Sequence, residues 1–450
     1  MKSLAGWLLG VACVIGVGPA GAQETLEISR GVKKTAKAEN LRVVLTGESG
    51  LVLRGRRPAI GGSVFHLDSP EAQVIFEGVE PSEVQENYLT QFRIHGEPAV
   101  HGQNMRLVNY IDGTLVVPHG PEYEALFTYN QPGLEGDARG YVVHDYYRSA
   151  ELGDAEDQIA SFVLKRGYMA TMAENENGTG ASQVFIARNR DLEMSSLPKD
   201  LEGKVSFIRV FPWRYTAKKG YSGKLEPAEL LDTTWFYDWG ASSQSSIDVE
   251  YVPMRHNARW DSFEKINALE NVTHLLGFNE PMQKDQANMT LEQVLKMWPR
   301  LQESGLRLGS ICPTDGQKAV EWMYEFCDEA ERLGYRVDYV VVHYYKADRT
   351  PKQLASWLRE IHQRTGKPLW VKEFNSGAPW VKNHNPTPEE HAKEIRRYIE
   401  TMDKLAFVER YAVFNLKQAG GMRSVLIEDT LTPSGRAYRD NDAPEAYRGR

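Results

Sequence analysis

The chain has 450 residues, 41% hydrophobic and 25% charged, with a formal charge of −8 from 53 basic and 61 acidic side chains. That balance excludes a disordered chain and a small disulfide scaffold, and the absence of a basic block excludes a nucleic-acid footprint. The 15 Phe, 10 Trp and 21 Tyr are more informative, because Trp and Tyr offer flat apolar faces with a polar tip, suited to sugar rings as well as to cores.

The chain opens with Lys2, an apolar run from Leu4 to Val17 and the small-residue stretch Ala20-Gly21-Ala22. This pattern predicts a signal peptide over 1–22 and a secreted or periplasmic mature protein. The run is too short for a good membrane span. Cleavage would remove Cys13 and leave Cys312 and Cys327, either bridged or as two buried thiols. No Cys/His cluster has zinc spacing and no phosphate-cradling glycine pattern follows a strand, so neither metal nor cofactor is expected.

Residues 23–200 read as a β-rich accessory region of one or two domains. Alternating runs such as Leu41-Arg-Val-Val-Leu-Thr, Gln73-Val-Ile-Phe-Glu, Gly113-Thr-Leu-Val-Val and Gln183-Val-Phe-Ile-Ala-Arg are separated by Gly, Pro, Asp and Asn. The first hundred residues could form a few β-helix-like rungs. Such a region would bind carbohydrate or buttress the C-terminal half of the chain. His101, His119 and His144 lack metal-ligand spacing, and Asn177, Asn271 and Asn288 are glycosylation acceptors only in a host that glycosylates.

From 215 to 450, short β-rich runs alternate with helical stretches, the texture of a (β/α)8 TIM barrel. Seven strand candidates begin at Asp232, Val249, Thr273, Leu306, Asp338, Pro368 and Glu409, and Lys204-Val-Ser-Phe-Ile-Arg-Val-Phe is a plausible eighth. Thr290-Leu-Glu-Gln293 reads as a capping box and Thr387-Pro388-Glu389 as a helix start, while Trp322 falls in a helical stretch and is assigned to the core.

Several strands end in polar or aromatic groups: Tyr237-Asp238-Trp239, His256-Asn257, Asn279-Glu280-Pro281, His343-Tyr344-Tyr345 and Glu373-Phe374-Asn375. Strand ends are where a barrel keeps its working residues. Glu280 and Glu373, each following an apolar run, supply the paired carboxylates that glycosidic cleavage needs. They end the third and sixth strand candidates, or the fourth and seventh if one strand precedes them. Asn279 is placed for the sugar 2-hydroxyl, and His343 and Tyr345 could orient Glu373 or bind the sugar. Only one of Tyr344 and Tyr345 should face inward. Tyr237, Trp239 and Trp380 are candidate stacking platforms, with Asp238 and His256 as further substrate contacts. An apolar surround and the charge of Glu373 would keep Glu280 protonated.

Residues from about 217 to 420 resemble the catalytic core of glycoside hydrolase family 128. The resemblance rests on an ordered series: Lys219-Gly220-Tyr221, Trp235-Phe-Tyr-Asp-Trp239, Tyr251-Val-Pro-Met254, Leu276-Gly-Phe-Asn279-Glu280-Pro281, Leu308-Gly-Ser310, Trp322-Met-Tyr-Glu-Phe326, Val342-His343-Tyr344-Tyr345 and Trp370-Val-Lys-Glu373-Phe. It implies a retaining β-glucanase acting on β-1,3-glucan, with Glu280 as acid/base, Glu373 as nucleophile, a polysaccharide as substrate and neither nucleic acid nor membrane as partner; an endo-β-1,3-glucanase is the expectation, although the sequence itself is silent on endo against exo action. Arg255, His256 and Lys372 would add positive charge near the cleft, so an anionic sulfated or uronic polysaccharide is the alternative substrate. A non-catalytic glycan-binding protein is the rival of another class, against which the intact glutamate pair argues. Oligomeric state leaves no signal in the sequence.

Overall fold

The computed structural model describes residues 12–16 (backbone only), 23–110, 113–120, 123–381, 384–416 and 423–449. They fall into two compact units, 1–123 and 124–450, so the β-rich stretch 23–200 is divided between them. Of the expected leader, Ala12–Gly16 forms a strand antiparallel to residues 25–30, and the remainder lies outside the described residues.

The first unit is a short parallel coil of the β-helix kind. Glu24–Thr35 pairs in parallel with Leu41–Leu45 through its first half and with Ser49–Leu53 through its second. Val64–Leu67 and Phe92–Ile94 extend one face, and Gln73–Glu77 the other. Alternate side chains point inward. Leu26, Ile28, Val43, Leu45, Phe65, Leu67 and Phe92 are all buried, with the Phe65 and Phe92 rings stacked at 5.0 Å. The antiparallel pair Met105–Tyr110 and Gly113–Pro118 closes the second face.

The second unit begins with two four-stranded antiparallel sheets over 124–212. Phe207–Pro212, from the expected eighth barrel strand, belongs here: it lies between Tyr147–Arg148 and Tyr168–Ala173 with every residue buried. The strand that precedes the seven candidates is instead β1, Lys219–Ser222. Its two leading lysines conceal it in the sequence. They are buried because their ammoniums cap helix ends, Lys218 donating to the carbonyls of Met402, Asp403 and Leu405 and Lys219 to those of Arg439 and Asn441.

The other parallel strands follow the sequence expectation: β2 Trp235–Tyr237, β3 Glu250–Tyr251, β4 His274–Leu275, β5 Arg307–Leu308, β6 Val340–Tyr344, β7 Leu369–Phe374 and β8 Val408–Phe414. Helices α1 Leu225–Leu230, α2 Phe263–Asn267, α3 Leu291–Gln302, α4 Gln317–Arg332, α5 Pro351–Thr365, α6 Pro388–Lys404 and α7 Pro433–Arg439 alternate with them. Capping boxes start α3 at Thr290 and α6 at Thr387, where the Ser/Thr-x-x-Glu/Gln spacing satisfies orphan N–H groups. The continuous ladder holds six strands in the order β3-β2-β1-β8-β7-β6 and does not close. The pair β4-β5 is linked to it by single parallel bridges, Met254 to Leu276 and Gly309 to Tyr339.

Trp235, Tyr237, Met254, Leu276, Cys312, Tyr339, Trp370 and Ala412 pack as one cluster inside these strands. Gly220 makes room for it, since a Cβ there would sit 2.1 Å from the Trp235 ring. At the N-terminal ends of the strands a buried polar network underlies the cluster. Arg410 donates to Glu250 at 2.6 Å, Arg307 holds both oxygens of Glu409 at 2.8 and 2.9 Å, and the Trp370 indole donates to Glu409 at 3.1 Å. His274 lies between them with Nε2 3.2 Å from Arg307. Arginine only donates, so Nε2 is the acceptor and His274 is neutral. Burial, then the Arg410 charge, lowers its pKa to about 3.

Candidate active site

Glu280 follows β4 and Glu373 lies in β7, the fourth and seventh strands, at their C-terminal ends. Between Val371 and Phe374, β7 carries one residue more than the facing stretch of each neighbour: Val342 and His343 face Val371 and Glu373, and Tyr411 and Val413 face Val371 and Phe374. Such a bulge re-aims side chains, and here Lys372 and Glu373 both reach the interior. Glu280 has φ 43° and Trp239 φ 62°, left-handed values that cost non-glycine residues about 1–3 kcal/mol and cluster at functional sites. The amide of Glu280 donates to the Cys312 carbonyl at 2.7 Å, which fixes the turn.

One imidazole spans the two carboxylates. His343 Nδ1 lies 2.7 Å from Glu280 Oε1, and Nε2 lies 3.2 Å from Glu373 Oε1 without the alignment of a hydrogen bond. Burial, the largest influence, would lower the His343 pKa, but the Cys312 thiol and the Glu373 charge raise it well above its ordinary value. Glu373 receives Tyr237 Oη at 2.7 Å and Trp239 Nε1 at 2.9 Å on one oxygen, and Tyr345 Oη at 2.7 Å on the other. Lys372 Nζ stands 3.4 Å away. Burial alone would push the Glu373 carboxyl up, but the charges of His343 and Lys372 outweigh it and hold the group well below the usual carboxylate range. Burial and then the Glu373 charge push the phenols of Tyr237 and Tyr345 well above their ordinary value, so both remain donors. The Glu280 side chain is more open, 17% exposed against 9% for Glu373.

Asn279 is buried, with its oxygen accepting from Lys372 at 2.6 Å and its nitrogen donating to Gln286 at 3.1 Å. Tyr345 faces inward as alternation requires, whereas Tyr344 turns out against Trp357 and Tyr398. Other sequence expectations need correction. Tyr237 is fully buried and cannot lie under a sugar ring; Trp239 gives its in-plane N–H to Glu373, which leaves the face of its half-buried ring as a platform candidate. Trp380, 66% exposed with its ring 5.3 Å from Tyr345, keeps the platform role open. The Asp238 carboxylate is taken by Tyr251 at 2.7 Å and Ser243 at 2.5 Å, so it braces its own loop. His256 sits at the mouth with its ring 5.2 Å from Trp260, an exposed aromatic that pattern reasoning passed over because it ends no strand. Burial, then the Lys372 charge, lowers the His256 pKa.

Arg255 lies over the Phe263 ring at 4.2 Å and donates to the Ala258 carbonyl, and Lys372 is engaged within the site. The two strongest cations expected in the cleft are thus turned inward. Trp322 is half-buried, and with Pro281, Met282 and Pro313 it lines a small shallow pocket beside Glu280. Cys312 and Cys327 are both free thiols. Among the described residues no group of His, Cys, Asp and Glu is arranged to hold a metal, and no helix is long and apolar enough to cross a membrane.

Two carboxylates at the mouth of a parallel sheet, one held ionised and the other more open, are the arrangement of a glycoside hydrolase. The comparison with known families agrees: residues 218–438 match the glycosyl hydrolase catalytic core, and the chain belongs to that family. An endo-β-1,3-glucanase of family 128, subgroup I, from Amycolatopsis mediterranei, solved with laminaritriose, is 30% identical, the alignment covering 50% of this chain and 98% of that one at a TM-score of 0.45. A subgroup II endo-β-1,3-glucanase from Pseudomonas viridiflava is 24% identical over 50% and 97%, with a TM-score of 0.42. A subgroup III curdlan-specific exo-β-1,3-glucanase from Blastomyces gilchristii is 24% identical over 50% and 98%, with a TM-score of 0.41. A search of the curated proteins finds no match.

Proposed function

We propose that the protein is a secreted or periplasmic, retaining endo-β-1,3-glucanase in which Glu373 attacks the anomeric carbon and Glu280 protonates the departing oxygen and then activates water. The observation that carries this reading is the unequal treatment of the two glutamates. Glu373 has three neutral donors, the Lys372 ammonium and a share of the His343 imidazole, so it enters the reaction as an anion, whereas among the described residues Glu280 has only the other nitrogen of that imidazole as a side-chain partner, and it has a path to solvent. A nucleophile must be ionised and an acid must give its proton outward, which the arrangement allows. The relatives at up to 30% identity act on β-1,3-glucan by name, and that supplies the substrate class. We read the eight parallel strands as one (β/α)8 barrel, with the Trp322 pocket on the leaving-group side and Trp380 at the opposite rim. The accessory β strands would bind carbohydrate or brace the barrel. An anionic substrate loses its main support, because Arg255 and Lys372 are committed to internal partners.

Purified protein offered laminarin, curdlan, mixed-linkage glucan and anionic algal polysaccharide should release oligosaccharides from the β-1,3-glucans, with long products first. Proton NMR of the first turnovers should show the β-anomer. The α-anomer would make the enzyme inverting, and products from the anionic polymers alone would overturn the substrate assignment.

A further inference from the structure

The bulge in β7 leaves Lys372 and Glu373 side by side in the interior. Counting from Trp370, whose ring belongs to the central cluster, strict alternation would turn Lys372 in and Glu373 out. The extra residue brings both inward. The Lys372 side chain is 0% exposed. Its Nζ donates to Asn279 Oδ1 at 2.6 Å, stands 3.4 Å from Glu373 Oε1 and lies 4.8 Å from the centroid of the Tyr237 ring.

These contacts have a directional consequence. An ammonium has donors and no acceptor, so the Asn279 atom facing it must be the oxygen, and the carboxamide cannot turn over. Nδ2 then points the other way. It gives one N–H to Gln286, and its second has no acceptor among the described residues. The same ammonium is one of two cations beside Glu373, the other being His343.

We propose that Lys372 is a positioning residue of the glycosidase reaction: it fixes Asn279 as a donor toward the hydroxyl beside the anomeric carbon, and it supplies part of the positive charge that keeps Glu373 ready for attack. The proposal rests on the two-glutamate reading above. The groups facing Glu373 are Tyr237 and Trp239 after or within β2, His343 and Tyr345 at the end of β6, and Lys372 in β7, with Glu280 reached through His343. Of these only His343 and Lys372 bring positive charge, and both act to lower the Glu373 pKa against burial.

The test uses the full chain and a β-1,3-gluco-oligosaccharide aryl glycoside, with its 2-deoxy counterpart in the reacting sugar. Wild type should hydrolyse the parent compound and E373Q should not; an inactive wild type, or an active E373Q, defeats the two-glutamate reading and overturns the role of Lys372 with it. Given that activity, K372M should lower kcat/KM on the parent about 10–100-fold, the usual cost of losing a supporting partner. The acid limb of its pH profile should move up by about one unit or more, the effect of a nearby opposite charge. Its preference for the parent over the 2-deoxy compound should shrink, by less than the factor lost in kcat/KM because the charge beside Glu373 serves both compounds alike, and N279A should cost less in K372M than in wild type. K372Q, neutral but still a donor, should shift the acid limb and keep more of the 2-hydroxyl preference. If K372M is folded and both the acid limb and the 2-hydroxyl preference are unmoved, the proposal is wrong, whatever its overall rate. If K372M does not fold, K372Q is judged on the acid limb, and a K372Q that also fails to fold assigns Lys372 to stability and overturns the proposal equally.

Discussion

At the level of single residues the site separates groups that touch substrate from groups that hold those that do. Glu280 and Glu373 were legible in the sequence because carboxylates after apolar runs are costly unless used. The supporting shell was less so: Tyr237, Trp239 and Asp238 look like sugar contacts, yet Tyr237 is buried against Glu373, Trp239 gives Glu373 its N–H, and Asp238 accepts from Tyr251 and Ser243. An aromatic at a strand end can face a ligand or a carboxylate, and spacing does not distinguish them. On the proposed assignment of Glu280 as acid and Glu373 as nucleophile, removing one and removing the other should differ. E280A should lose about 10²–10⁴-fold on glucan, the range for general acid–base catalysis, but retain activity on aryl glycosides whose leaving group needs no proton. Added azide should rescue it by trapping the glycosyl-enzyme as a β-azide. E373Q should be inactive on both, without rescue, and chromatography of the products tells the cases apart. W380A should leave aryl glycosides untouched and raise KM on long glucan by up to about ten-fold, since an exposed ring contributes about 0.5–1.5 kcal/mol by stacking. An unchanged KM would remove Trp380 from the binding surface.

Among the elements, β4 and β5 show only two ladder residues each, yet they position Asn279, Glu280 and Cys312. What holds such short strands is the polar network at their N-terminal ends, where Glu250, Thr273, His274, Arg307, Glu409 and Arg410 come from β3, β4, β5 and β8 or the residue just before one of them. The seven strand candidates were legible from alternating texture, but this network was not, because its members are single charges at the start of apolar runs and read as turns. Leaving one buried ion unpaired costs about 3–5 kcal/mol. E250Q or R410M should therefore lower the urea midpoint sharply while leaving kcat of the folded fraction near wild type, since the network touches neither glutamate of the site. His274, and His391 bonded to Asn375 and Ser434 at 2.6 Å, add a pH dependence. Burial is the main cause of both pKa values falling to about 3, with Arg410 next for His274 and Arg423 for His391. The unfolded chain takes up these protons near pH 6.5 and the folded protein does not. Stability is thus fully present above about pH 6.5 and is lost as pH falls toward 3, by at most about 1.4 kcal/mol per unit per histidine. Thermal unfolding followed at pH 7, 5.5 and 4.5 should show the midpoint falling at each step, and less steeply in H391Q provided that variant folds.

For the whole molecule, the change of texture near residue 215 suggests that a catalytic domain can be cut out there. The packing argues for a cut near 124. Within the second unit, the antiparallel strands of 124–212 lean on the loop after α3: Arg209 donates to the Ser304 carbonyl at 2.6 Å, Thr171 to that of Gly305 at 2.6 Å, and Gln302 to that of Gly178 at 3.0 Å, while Arg148 pairs with Glu303 at 2.8 Å. Arg336, ahead of β6, donates to Ser182. The boundary could not be read from sequence because these partners lie about 100 residues or more apart and the strands that carry them read as accessory. Removing 124–212 would exchange the partners of the Gln302 side chain and of the Ser304 and Gly305 carbonyls for water and bare the apolar surface around them, and each lost bond costs about 0.5–1.5 kcal/mol. Several such losses, together with the bared surface, are comparable to a domain's whole stability of about 5–15 kcal/mol. Fragment 124–450 should therefore be soluble, unfold cooperatively and cleave soluble β-1,3-glucan at the full-length rate. Fragment 215–450 should be insoluble or melt far lower. Equal stability and activity for the two would make the 124–212 sheets a separable accessory, as the sequence texture suggests, and would move their function from bracing the catalytic strands to binding glycan.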